Sequence, residues 1–217
     1  MSPNMPLPRL PTLLLRTGAV LAILLLAACA SAPVPDMAFY RMSSVPDRER
    51  AADAEPRFPV PITVSPFRAD GVYNDQAILY AVKPEGSIKA YHYQLWDEPP
   101  SLMLQRRLID QLRAEYAAKL ITDRLPPGLD ALRISGRLQR FERVRMNQRW
   151  HARVRMEIRV ERRQQDAPLL LNDYGADVEA ESDTIQASIR AFAAALDQSY
   201  AAFSADLAQL DLSPKAP

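Results

Sequence analysis

The 217-residue chain balances 27 Lys and Arg against 26 Asp and Glu, with two His, 19 Pro and 6 Gly. Near-neutrality argues against a nucleic-acid binder, whose affinity comes largely from neutralising phosphates. A single cysteine excludes an internal disulfide framework, and the length suits one domain with its own core.

Arg9 and Arg16 precede Thr17 to Leu26 (TGAVLAILLL), an uncharged, mostly apolar run that ends in Leu26-Ala27-Ala28-Cys29. A positive start, a short apolar run and small residues at a cut are the parts of a secretory signal. Ten residues are too few to cross a bilayer core about 30 Å thick, which takes roughly 20. The tetrad resembles the lipobox of bacterial lipoproteins, and its cysteine is the only one in the chain. That resemblance implies cleavage between Ala28 and Cys29, with a diacylglycerol and an N-acyl chain on Cys29 and no other cofactor. Two or three acyl chains hold a protein on a membrane where one holds it only marginally. Removing residues 1–28 takes away Arg9 and Arg16 and no acid, so 25 basic residues then face 26 acidic ones. Ala30, not Asp, follows the cysteine, which by the same resemblance implies the periplasmic face of the outer membrane.

Residues 29–56 read as a lipid-anchored linker rich in proline, with a short strand near 39–42 (Phe39-Tyr40-Arg41-Met42) and a polar stretch from Ser43 to Pro56. The domain runs over 57–212, and 213–217 is a disordered tail. Phe58 to Val64 is apolar and β-branched, but Pro59 and Pro61 predict an edge strand or a late start. Ala77 to Val82 and Ile88 to Leu95 flank Pro84-Glu85-Gly86 and read as a hairpin. Trp96-Asp97-Glu98-Pro99-Pro100 forms a structural junction that starts a helix. Leu104, Leu108, Leu112 and Tyr116 carry that helix to about Ile121.

Three long strands follow. Leu132, Ile134 and Leu138 alternate with polar residues, and Trp150 to Val160 alternates more clearly still. Tyr174, Ala176, Val178 and Ala180 form the third set. Such period-two patterns mean one buried and one wet face, and Asn147-Gln148 supplies a turn for an antiparallel meander. A last helix, capped near Ser182-Asp183, places Ile185, Ile189, Phe192, Leu196, Tyr200, Phe203, Leu207 and Leu210 on one stripe. The predicted class is α+β (α/β): a mostly antiparallel sheet with two helices on one face, in one domain.

The lipobox, the Phe39 to Met42 strand, Ile78-Leu79-Tyr80, Ala90-Tyr91-His92-Tyr93-Gln94-Leu95-Trp96 and Pro99-Pro100-Ser101-Leu102-Met103-Leu104 come in an order that resembles the ABC-type transport auxiliary lipoproteins, the family that includes paraquat-inducible protein C. The resemblance implies an accessory without a motor. Its partners would be a membrane-anchored MCE-domain protein with its ABC ATPase and permease, in a system that moves phospholipids or other hydrophobic molecules between membranes. The sequence agrees in lacking a G-x-x-x-x-G-K-[ST] phosphate loop. A homo-oligomeric collar is one form such an accessory could take, and a pilot or assembly lipoprotein for another envelope complex is the alternative function.

The candidates for chemistry are few. His92 and His151 both fall in predicted strands, and no H-x-x-x-H, C-x-x-C or G-x-S-x-G occurs, so neither a metal site nor a catalytic residue is assigned. Arginines crowd the region from Arg133 to Arg163. Cross-strand pairing with Glu157, Glu161, Asp173, Asp177 and Glu179 accounts for most of them. Arg140, Arg143, Arg145 and Arg149, near the turn, have fewer acids close in sequence and are the candidates to face a partner or lipid head groups. Tyr91 and Tyr93, on one face of their strand, are the aromatic candidates for the same surface.

Overall fold

The computed structural model describes residues 35–43, 55–162, 165, 167–210 and 212. Ala28, Cys29, most of the proline-rich linker, Arg163 and the tail at 213–217 lie outside them. In chain order the described elements are β1 (Ala38–Tyr40), β2 (Ile62–Val64), β3 (Arg68–Ala69), a 3-10 turn (Gly71–Asn74), β4 (Ala77–Ala81), β5 (Lys89–Trp96), α1 (Pro100–Ala114), β6 (Ile121–Thr122), β7 (Leu132–Met146), β8 (Arg149–Arg162), β9 (Leu170–Glu179) and α2 (Ile185–Leu207).

The spine is β7, paired along its full length with β8, which in turn pairs with β9, both antiparallel. Asn147 and Gln148 join the first two with φ of 49° and 64°. Positive φ at both central residues is the mark of the two-residue turn whose twist matches its strands. Along the other edge of β7 three short strands succeed one another, all parallel to it. β2 lies beside Leu132 to Ile134, β3 beside Arg137 and Leu138, and β4 beside Arg143 and Val144. β5 returns antiparallel to β4, as the hairpin pattern predicts, and β1 adds parallel to β5. The sheet is thus mixed, with the long pairings antiparallel and the short ones parallel. β1 belongs to it although it lies within the stretch read as linker.

Proline decides where β2 begins. Pro61 has no N–H to give, yet its carbonyl accepts from Leu132 N at 2.9 Å, and pairing starts at the next residue. The strand starts late, between β7 and β6, and is not an edge.

α1 starts where the junction places it: Pro99 is the cap and Pro100 the first helical residue, a position that needs no N–H. Leu104, Leu108 and Leu112 are fully buried. The helix ends at Ala114, seven residues short of the expected Ile121. Tyr116 takes φ 51°; its N–H donates to Arg113 O and that of Ala117 to Leu112 O, both at 3.0 Å. These two bonds form the left-handed helix stop that usually employs glycine. The chain then turns inward, burying Ala117 and Ala118, and Ile121 joins β2 as β6. Every-fourth-residue spacing at Tyr116 therefore does not continue the helix.

α2 is capped by Thr184, one residue beyond the predicted pair, whose Oγ1 accepts from Ala187 N at 3.2 Å. Ile189, Phe192, Leu196, Tyr200, Phe203 and Leu207 are buried, while Leu210 falls past the helix end. The Tyr200 hydroxyl donates to Leu104 O at 2.9 Å and ties the helices together; burial raises its pKa. Where Phe67 crosses the sheet, a Cβ on Gly136 would sit 2.1 Å from its ring, so this close approach requires glycine.

β7 changes parity partway. Leu138 opposes Met156, but Arg140 opposes Arg155, which leaves Gln139 as an extra residue. A bulge of this kind bends the strand and re-aims the side chains beyond it. Ile134, Gly136 and Leu138 share the inner face with the apolar set of β8; after the bulge Phe141, Arg143 and Arg145 do.

Candidate functional site

The long hairpin has two ends, its tip at Asn147-Gln148 and its base where β7 starts and β8 finishes. Both carry cations.

At the tip the structure separates the four candidate arginines. Arg140, Arg145 and Arg149 are exposed, but Arg143 is only 2% exposed. It therefore does not form part of an outward surface as the sequence suggests. The bulge turns it inward, over the Trp150 ring at 4.2 Å from the centroid and the Tyr91 ring at 5.7 Å. Its Nη1 donates to the Tyr91 hydroxyl at 2.7 Å and its Nη2 to Asp183 O at 2.9 Å, while Nε has no partner. Burial lowers the Arg143 pKa, and burial likewise raises that of Tyr91. The aromatic faces stand in for a carboxylate. Through Asp183 O the guanidinium pins the start of α2 to the hairpin.

Tyr91 serves this internal cluster, with its ring 4.4 Å from that of Tyr80. Tyr93 is half-buried and packs edge-on against His92. The two tyrosines are not brought together. Arg145 stacks on the outer part of Trp150 at 5.7 Å. Arg149 is paired with Glu179 at 2.7 Å, and Arg140 reaches the buried Glu142 at 3.5 Å. Glu142 also accepts from the Tyr73 hydroxyl at 2.6 Å, and burial followed by that bond raises the Tyr73 pKa. Further down the sheet the expected cross-strand pairs form: Arg153 and Arg155 both hold Asp177.

The junction residues meet the core. Trp96, 1% exposed, packs against Phe141 and Phe192, each 5.3 Å away between centroids.

At the base a cleft of about 690 Å³ opens between the ends of β2 and β8 and the loop 123–131. Its lining combines Leu125, Pro126, Pro127 and Leu129 with Arg124, Arg133 and Arg162. Arg162 is held by Asp130 at 2.8 Å, whereas Arg124 and Arg133 have no ion-pair partner among the described residues. Pro126-Pro127-Gly128 reads in the sequence only as a helix stop. The mixture of an apolar lip with free cations appears only when the loop is folded back beside β8. Among the described residues no group of three or more His, Cys, Asp or Glu gathers as a metal site would need, and no helix is long and apolar enough to cross a membrane.

The model of the ABC-type transport auxiliary lipoprotein component matches residues 40–204. The chain belongs to that family. Among solved structures it resembles a Xanthomonas campestris protein of the DUF330 family, with a TM-score of 0.65 and 15% identity, covering 77% of this chain and 92% of that one. It also resembles an uncharacterized protein at TM-score 0.59 and 12% identity, covering 81% and 98%. At such identities these two share the fold. No curated protein matches the chain. As a member of this family the protein is an auxiliary component of an ABC-type transport system.

Proposed function

We propose that the protein is a non-catalytic outer-membrane lipoprotein of an ABC/MCE-type system that moves phospholipids or other lipids between membranes. After cleavage behind Ala28, acyl chains on Cys29 hold it at the periplasmic face, and the domain docks or guides the MCE-domain protein served by the ABC ATPase and permease. The family match over residues 40–204, with Leu26-Ala27-Ala28-Cys29 a short way upstream, is the observation that carries this reading.

Two measurements test it. Mass analysis of the membrane-extracted protein is expected to find the N-terminal Cys29 peptide heavier by its acyl groups, and Cys29→Ser is expected to release the protein from the outer-membrane fraction. Affinity purification from solubilised envelopes is expected to recover the MCE protein with it. Recovery of a different outer-membrane assembly in place of the MCE protein would leave the lipoprotein standing and transfer it to the pilot role.

A further inference from the structure

We propose that the hairpin-tip end of the domain lies on the lipid surface and that the base, with its cleft, points away from it. This rests on the anchoring of Cys29 proposed above; the orientation itself comes from strand directions. β1 is parallel to β5, β5 antiparallel to β4, and β4 parallel to β7. β1 therefore runs opposite to β7, from the tip side toward the base, so the chain approaches the sheet from the tip side. Cys29 stands nine residues before Ala38, a tether of at most about 32 Å when fully stretched. A fifteen-residue strand such as β7 is roughly 50 Å long at 3.3–3.4 Å per residue. A tether that short, leaving toward the tip, brings the tip to the bilayer; to lay the base there it would have to reverse and run down the domain.

The surface at that end suits a lipid face. The turn between β4 and β5 projects beside the tip, because Tyr80 pairs with both Arg143 and Lys89. It exposes Val82 by 50% and Ile88 by 37%. Lys83, Lys89 and Arg145 are exposed there without an acid partner among the described residues. The acids of this end are mostly engaged: Glu179 by Arg149 and Glu181 by Arg190, leaving Glu85 and Asp183. Apolar side chains interleaved with free cations are what an interfacial contact uses. Of the arginines singled out in the sequence, Arg145 and Arg149 belong to this lipid-facing end.

The chain's own lysines test the orientation. Lys83 and Lys89 mark the tip end; Lys119 marks the base, since Leu120 O accepts from Ile62 N and Ile62 pairs with Leu132. The acylated protein is placed on vesicles of phosphatidylethanolamine with a minority of phosphatidylglycerol that include a photoreactive phospholipid. It is then acetylated with a water-soluble reagent and compared by mass spectrometry with Cys29→Ser in solution. Acetylation of Lys83 and Lys89 is expected to fall several-fold while Lys119 is unchanged, with lipid adducts on the peptide spanning 82–89. Shielding of Lys119, equal labelling at all three, or shielded tip lysines without lipid adducts would overturn the proposal. In a second arm the mature chain is coupled through its single thiol, Cys29, to a maleimide head group in the same vesicles. If protein made by cells fails to float with vesicles, the anchoring reading fails, and this arm still decides the orientation.

Discussion

The two halves of β7 obey the same alternation in opposite phase. From Leu132 to Leu138 the residues facing the core are the apolar ones, and the arginines between them are wet. From Arg140 onward the inner positions are Phe141, Arg143 and Arg145, while Glu142 and Val144 are buried on the opposite side. One extra residue, Gln139, separates the two regimes. The contrast shows that the face of a β-residue is set by the register it inherits, not by its own polarity.

The sharpest way to break this contrast is to empty its aromatic centre: Phe141→Ala leaves the register intact and should cost about 3–5 kcal/mol, measured as the urea midpoint by tryptophan fluorescence. Deleting Gln139 removes the extra residue but keeps Arg140 opposite Arg155 and Phe141 opposite Val154, so the buried set is unchanged and a loss below about 3 kcal/mol is expected in the same assay. A larger loss would show that the bend itself, and not only the parity it sets, is required.

Arg143 sharpens the contrast from the other side. Arg143→Ala removes two hydrogen bonds and the stacked cation from a closed site, for an expected loss of about 2–3 kcal/mol. Arg143→Met fills the volume without a buried charge and should cost less than about 1.5 kcal/mol. If both variants lose equally, the hydrogen bonds to Tyr91 and Asp183 matter more than the packing. Thr184→Ala, at the cap that Arg143 helps to position, should cost about 1 kcal/mol, read from thermal unfolding.

The smallest effect belongs to the base. The hydrogen bond from Arg162 holds the Asp130 carboxyl below its usual pKa. A folded-state pKa below the unfolded value contributes stability above about pH 4 that is lost as pH falls through the folded pKa. Solvent screens the pair, so the term stays under about 1 kcal/mol. Arg162→Gln should flatten that acid limb of the stability curve, and an unchanged limb would assign it to other carboxylates.

Much of the fold was legible because its patterns are long. The fourteen residues of β8 and the stripe of α2 repeat often enough that no local exception hides them. The Asn147-Gln148 turn and the Pro99-Pro100 start were legible for a different reason, since each residue type suits a particular backbone geometry. The end of α1 was not: Tyr116 has the right spacing for a helix and adopts a left-handed conformation because Ala117 and Ala118 gain burial. Arg143 looked like a surface cation because sequence alternation cannot count a bulge. The base cleft was hidden altogether, being made by segments that meet only when β2, the loop 123–131 and β8 converge.

By itself the sequence determined the element types and the apolar faces, since these depend on composition and on periods of two and about four along the chain. Only the tertiary structure decided the parity of β7 past Gln139, the inward turn of Arg143 and the end from which β1 is approached. Those depend on register between strands distant in sequence, and register is a property of pairs that no single segment contains.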